Sequence, residues 1–188
     1  MDDLSPEEVR AAYARIAASD DPEAAPVAAV ELGVLLAGGG DLDGAADAFR
    51  RAVASGHPEI APRAAGNLGL VLLDLDDVAG ARAAFERAVA SGHERQAPKA
   101  AVNLGRLREA EGDLAGARAA YRIAIDSGHD DLAAAGRMAV LRQQLVHAEG
   151  PDRADPAVTP GTPRGRWPSR SPRPASPHPG RVRRPRRA

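Results

Sequence analysis

Cysteine is absent from this 188-residue chain, which excludes disulfide staples and thiolate metal sites. Aromatic residues are scarce at 3%, so any core must be built from small side chains, and that favours helices packed closely on helices. No apolar run reaches the ~18 residues that would cross a bilayer. The opening Met1-Asp2-Asp3-Leu4-Ser5-Pro6-Glu7-Glu8 is acidic, where a secretory leader would carry a basic start and an apolar stretch. These absences predict an all-α protein of the cytoplasm with no membrane contact.

Charge is present but divided. Residues 1–149 hold 15 basic and 24 acidic side chains, a balance of −9, whereas residues 150–188 hold ten arginines and two aspartates, a balance of +8. The net charge of −1 therefore describes neither part. The basic segment also carries ten prolines and Trp167 as its one aromatic, too little apolar area to offset chain entropy. It reads as a disordered Pro/Arg-rich tail.

What the first 149 residues do contain is a repeat. Tyr13, Phe49, Phe85 and Tyr121 stand 36 residues apart, and Pro26, Pro62 and Pro98 keep the same interval. So do Leu32-Gly33, Leu68-Gly69 and Leu104-Gly105, as well as Ser55-Gly56-His57, Ser91-Gly92-His93 and Ser127-Gly128-His129. A fixed period of this size marks a solenoid whose units bury apolar surface only against their neighbours.

Each unit reads as helix A, turn, helix B. In the middle unit helix A starts between Pro58 and Pro62, since proline is tolerated only in a first turn, and carries Ala65, Leu68, Leu72 and Leu75. Asp77, like Asp41 and Asp113, is placed to cap helix B, where Ala81, Ala84, Phe85 and Ala88 share a face. Gly56, Gly92 and Gly128 then supply left-handed C-caps. The resulting map is a half repeat at 5–19 opened by a Ser5/Glu8 capping box, full repeats at about 22–57, 58–93 and 94–129, and a terminal helix at 130–147. The array thus has eight helices. In the last one Val140-Leu141 replaces Leu-Gly, so no further unit is expected to pack there, and Gln143, Gln144 and His147 predict a more polar capping side.

Catalytic chemistry finds no foothold in this pattern. The three loop histidines fall on successive layers about 8–10 Å apart, too far for one metal ion, and are expected to cap or pack beside the next helix start. Gly38-Gly39-Gly40 lacks the Lys-Ser/Thr of a phosphate loop and reads as a flexible turn between helices. No enzyme, metal or cofactor is expected.

The combination of Leu68-Gly69, Asp76-Asp77, Ala81, Phe85 and Ala88, matched in the flanking units by Leu32-Gly33/Ala45/Phe49/Ala52 and Leu104-Gly105/Ala117/Tyr121/Ala124, resembles the tetratricopeptide repeat. The period of 36 is two longer than the family's usual one, with the extra residues placed in the Ser-Gly-His loop. Ala29, Ala65 and Ala101 replace the family's bulky early helix A residue. The resemblance implies a right-handed superhelix of antiparallel helix pairs whose concave wall, built by A helices, receives a peptide or helix of a partner.

Carried over by position, that wall would be lined by Val27, Val30, Glu31 and Val34, then by Arg63, Asn67, Leu70 and Asp74, and next by Lys99, Val102, Asn103, Arg106 and Glu109. Met138 and Arg142 would follow. The ligand-binding set singled out is Arg63, Asn67, Leu70, Lys99, Asn103, Arg106 and Arg142, a basic stripe with two amides suited to a peptide backbone. Only Asn67 and Lys99 match the five positions of the family's carboxylate clamp, which argues against chaperone-tail binding. The function implied is a non-catalytic adaptor for an acidic or C-terminal protein segment, with the tail tuning or competing for the groove. The alternative is a nucleic-acid-associated protein in which the tail binds by counterion release and the repeats recruit.

Overall fold

Ser5 opens the array: its hydroxyl accepts from the Glu8 amide at 3.2 Å, and the Glu8 carboxylate accepts from the Ser5 amide at 2.8 Å. The computed structural model describes residues 5–148, so the expected disordered tail at 150–188 lies outside the described residues. Eight helices and no strand occur among them: α1 (Pro6–Ala17), α2 (Ala24–Gly39), α3 (Leu42–Ala54), α4 (Ile60–Asp74), α5 (Val78–Ala90), α6 (Gln96–Ala110), α7 (Leu114–Ile125) and α8 (Asp130–Ala148).

Each boundary follows from side-chain chemistry repeated at the same interval. Asp41, Asp77 and Asp113 accept from the amides of Gly44, Gly80 and Gly116 at 3.0, 2.8 and 2.8 Å. Each of these glycines sits three residues beyond its cap, where a Cβ would lie within 2.0–2.5 Å of the aspartate oxygen. Gly56 and Gly92 take φ of 67° and 65° directly after the C-caps of α3 and α5, as a left-handed helix end requires, whereas Gly128, at φ 78°, lies one residue further out because α7 ends at Ile125 with Asp126 as its cap. Gly38-Gly39-Gly40 corrects one expectation. Gly38 and Gly39 continue α2, and only Gly40, at φ 88°, makes the turn.

The core is a file of rings seated on glycines. A Cβ on Gly33, Gly69 or Gly105 would stand 2.7, 2.5 or 2.4 Å from the ring of Phe49, Phe85 or Tyr121. Helix A thus lacks a side chain where the ring of its own helix B lies against it, and alanines fill much of the remaining buried surface. This close packing is what an aromatic-poor sequence can reach.

Neighbouring units are also tied by their loop histidines. His57 Nδ1 accepts from the amides of Glu59 and Ile60 in the following unit, which leaves the proton on Nε2, 3.1 Å from Glu23 Oε2 at the start of its own unit. His93 repeats this with Arg95, Gln96 and Glu59, its Nε2 lying 3.0 Å from the carboxylate. The third interface breaks the series. Arg95 occupies the glutamate position and pairs with Asp131 at 3.3 Å, leaving His129 Nε2 buried without a partner.

The terminal helix differs from expectation as well. Gln144 is exposed as expected, but Gln143 is not; it is 3% exposed and accepts from Arg118 Nε at 3.1 Å, while the apolar Met138, Leu141, Leu145 and Val146 are exposed. Helical phase explains the reversal, because Gln143 shares its face with the buried Ala139 and Gly136.

Candidate functional site

Curvature follows from which helices touch. α2 packs on α4, α4 on α6 and α6 on α8, whereas α1, α3, α5 and α7 make no comparable contact with one another. The A helices therefore converge on one side and form the inner wall. Their outward strips are set by the same residues that bury the opposite face: on α4, Leu68, Gly69, Val71 and Leu72 go inward, leaving Arg63, Asn67 and Leu70 at i, i+4 and i+7.

Two of the four expected cations are neutralised there. Arg63 Nη2 is 2.9 Å from Glu31 Oε1, bridging α4 to α2. Arg142 Nη2 is 2.8 Å from Glu109 Oε2, bridging α8 to α6, and the same oxygen accepts from Tyr121 Oη at 2.8 Å. Burial first, and then the hydrogen bond to Glu109, push the Tyr121 hydroxyl well above the usual phenol range. Lys99 and Arg106 are exposed and have no ion-pair partner among the described residues. Seven residues apart on α6, they sit on one face about 10 Å from each other along the axis.

Asn103 lies between them in sequence and Asn67 on the adjacent helix; both are half-buried, and neither amide is engaged in a side-chain hydrogen bond among the described residues. Leu70 and Val34 are exposed at 43% and 44%, giving the wall an apolar stretch beside the amides. Val30 and Val102 are corrections. At 0% and 6% exposure they belong to the core and offer the groove nothing. The phase of the helix strip, applied residue by residue, excludes them.

Sequence reasoning places Glu31 and Glu109 on the wall but misses that they hold Arg63 and Arg142. The signal is present: Glu109 falls where the earlier units have Leu73 and Ala37, and Tyr121 falls where they have Phe85 and Phe49. Polarity enters both positions in the same unit. The histidine ladder has a similar signal in Glu23 and Glu59, one period apart and each followed 34 residues later by a histidine.

Solved structures that share this architecture include MamA and BtubC. MamA aligns at 21% identity with a TM-score of 0.54, covering 76% of this chain and 83% of its own. BtubC (BKLC) from P. vanneervenii aligns at 17% identity with a TM-score of 0.59, covering 88% and 79%. At these identities the likeness is one of fold. No curated protein sequence matches the chain. A family model described as tetratricopeptide repeat matches residues 6–65 and 67–131, two stretches that together span most of the helical array and carry the Leu-Gly and ring positions of all three units. The chain belongs to the tetratricopeptide repeat family.

Proposed function

We propose that the protein is a non-catalytic adaptor of the cytoplasm that holds an extended, acidic segment of another protein against α4 and α6. Repeats of this family generally serve as protein-interaction scaffolds, and none of the described helices is long and apolar enough to cross a membrane. The observation that carries the reading is the unequal state of the cations: Arg63 and Arg142 are already paired, while Lys99 and Arg106 are not, and they flank Asn103. Two carboxylates about 10 Å apart on an extended ligand would meet both, with Asn67 and Asn103 taking the ligand's peptide groups and Leu70 an apolar side chain between them.

The test is affinity capture from native lysate read by mass spectrometry, with three baits: the full chain, residues 1–149, and the full chain carrying Lys99→Ala with Arg106→Ala. One protein enriched by the first two and lost with the third supports the groove. Enrichment that follows residues 150–188 and vanishes after nuclease treatment sinks the adaptor reading and favours nucleic-acid binding by the basic segment instead.

A further inference from the structure

The outer face of α8 is apolar and exposed, and it includes Met138, which stands one period after Val102 and so, contrary to expectation, off the concave wall. Met138, Leu141 and Leu145 are 67%, 52% and 64% accessible, and Ala134 is exposed beside them. Shifted by one period these four fall on Pro98, Val102, Gly105 and Glu109 of α6, the strip on which α7 lies, for Gly105 seats the Tyr121 ring and Glu109 accepts its hydroxyl. The face of α8 is therefore the one that a ninth helix would cover.

Two occupants drawn from the chain itself can be excluded on residues. A helix B from the N-terminal end of another copy, α1 with Tyr13, would complete the unit head to tail. That arrangement needs glycine at position 141, because in all three units even a Cβ there would stand 2.4–2.7 Å from the ring, and Leu141 fills the seat. The chain's own residues 151–188 hold ten prolines and no proline-free run longer than five residues, so they contain no amphipathic stretch of helical length.

What the face does match is itself. Ala134, Met138, Leu141 and Leu145 follow a 4-3-4 spacing, the seam of a two-helix coil. Run antiparallel about a two-fold axis between residues 139 and 140, Met138 of each copy meets Leu141 of the other, and Ala134 meets Leu145. All four layers are apolar. The side chains flanking the seam then oppose one another as Arg137 with Gln144 and Arg142 with Ala135, and no pair of like charges is brought directly opposite. An isologous contact of this kind closes after two copies. We infer that two chains associate through an antiparallel α8–α8 contact centred on Met138 and Leu141.

Sedimentation equilibrium of the full chain tests this. The expected result is a mass that rises from 19.5 kDa to twice that value with concentration, and Met138→Glu should raise the dissociation constant at least tenfold while far-ultraviolet circular dichroism stays unchanged. Because the chain has no cysteine, Met138→Cys and Leu141→Cys each install a single thiol. In an equal mixture of the two variants under mild oxidation, the thiol at position 138 should link to the one at position 141 in preference to either thiol with its own counterpart, whether or not the glutamate variant folds. A chain that remains at 19.5 kDa up to about 100 μM, well above a micromolar dissociation constant, overturns the proposal and leaves the face to a different occupant. Mass that grows past the dimer overturns it in favour of head-to-tail assembly. So does a double variant, Leu141→Cys with Ile16→Cys, in which the new thiol at position 141 links to the one on α1 in preference to its own counterpart.

Discussion

The Tyr121 hydroxyl donates to Glu109 Oε2 at 2.8 Å across the boundary between helix B and helix A of one unit. Arg142 of the following helix reaches the same oxygen. The ring that is purely a packing element in Phe49 and Phe85 here also secures the last helix, since the carboxylate that it orients is the one that grips α8. Tyr121→Phe should therefore loosen α8 more than α7. Removing a hydrogen bond to a charged acceptor costs about 1.5–3 kcal/mol, and the loss would be read as faster amide exchange over residues 130–148 in the variant.

The same pair gives a pH signature. Burial and Glu109 raise the tyrosine above its unfolded value of about 10. Above that pH the unfolded chain sheds the proton while the folded chain keeps it, so this contribution is fully present below pH ~10 and declines as pH rises. Denaturant titrations between neutral pH and pH ~11 should show a steeper loss of stability for the native chain than for Tyr121→Phe. Parallel curves would count against the buried hydroxyl.

The glycine seats predict a rank order. Gly69→Ala gains helix propensity of roughly 1 kcal/mol but drives a Cβ to 2.5 Å from the Phe85 ring. Overpacking of that kind costs about 1–3 kcal/mol and sometimes more. Gly66→Ala, with nothing within 4 Å, keeps only the gain. Thermal melts should move in opposite directions for these two substitutions three residues apart. A rise for both would mean that the ring yields more easily than its burial indicates.

Asp41→Ala, Asp77→Ala and Asp113→Ala should each cost about 1 kcal/mol, because all three make the same bond to a glycine amide. Equilibrium unfolding in urea would measure it. A variant with no loss would show that its helix start is held by packing alone.

The interrupted ladder offers a gain. Arg95→Glu restores at the third interface the carboxylate that Glu23 and Glu59 supply to His57 and His93, and gives the buried His129 Nε2 an acceptor. The exposed Arg95–Asp131 pair given up is worth little, up to about 1 kcal/mol. A net stabilisation of about 1 kcal/mol is expected. A lower melting temperature would show that Asp131 repels the new carboxylate more strongly than the histidine attracts it.

Most of the fold is legible in the sequence because the period repeats its own evidence: cap, Leu-Gly pair, ring and C-cap glycine each appear three times, so one chance match cannot mislead. Departures from the period are harder to read. Polarity weighed without helical phase puts Gln143 in solvent, and the same neglect of phase puts Val30 and Val102 in the groove; all three are buried. Pairing is hidden too, since Arg63 and Glu31 lie 32 residues apart and only the stacking of α4 on α2 joins them. Lys99 and Arg106 are visible as charges. That they lack partners among the described residues is a property of the assembled wall.

Gly33, Gly69 and Gly105 leave the same seat for a ring, so the seat itself does not count units, even though Tyr121, Glu109 and Arg95 set the third unit apart. Each interior layer would accept another copy of itself, and the series closes at position 141, where an isobutyl group stands in place of a hydrogen. Array length in this chain is in that sense written in one side chain, and a single-codon change there would turn a terminus back into an acceptor for growth.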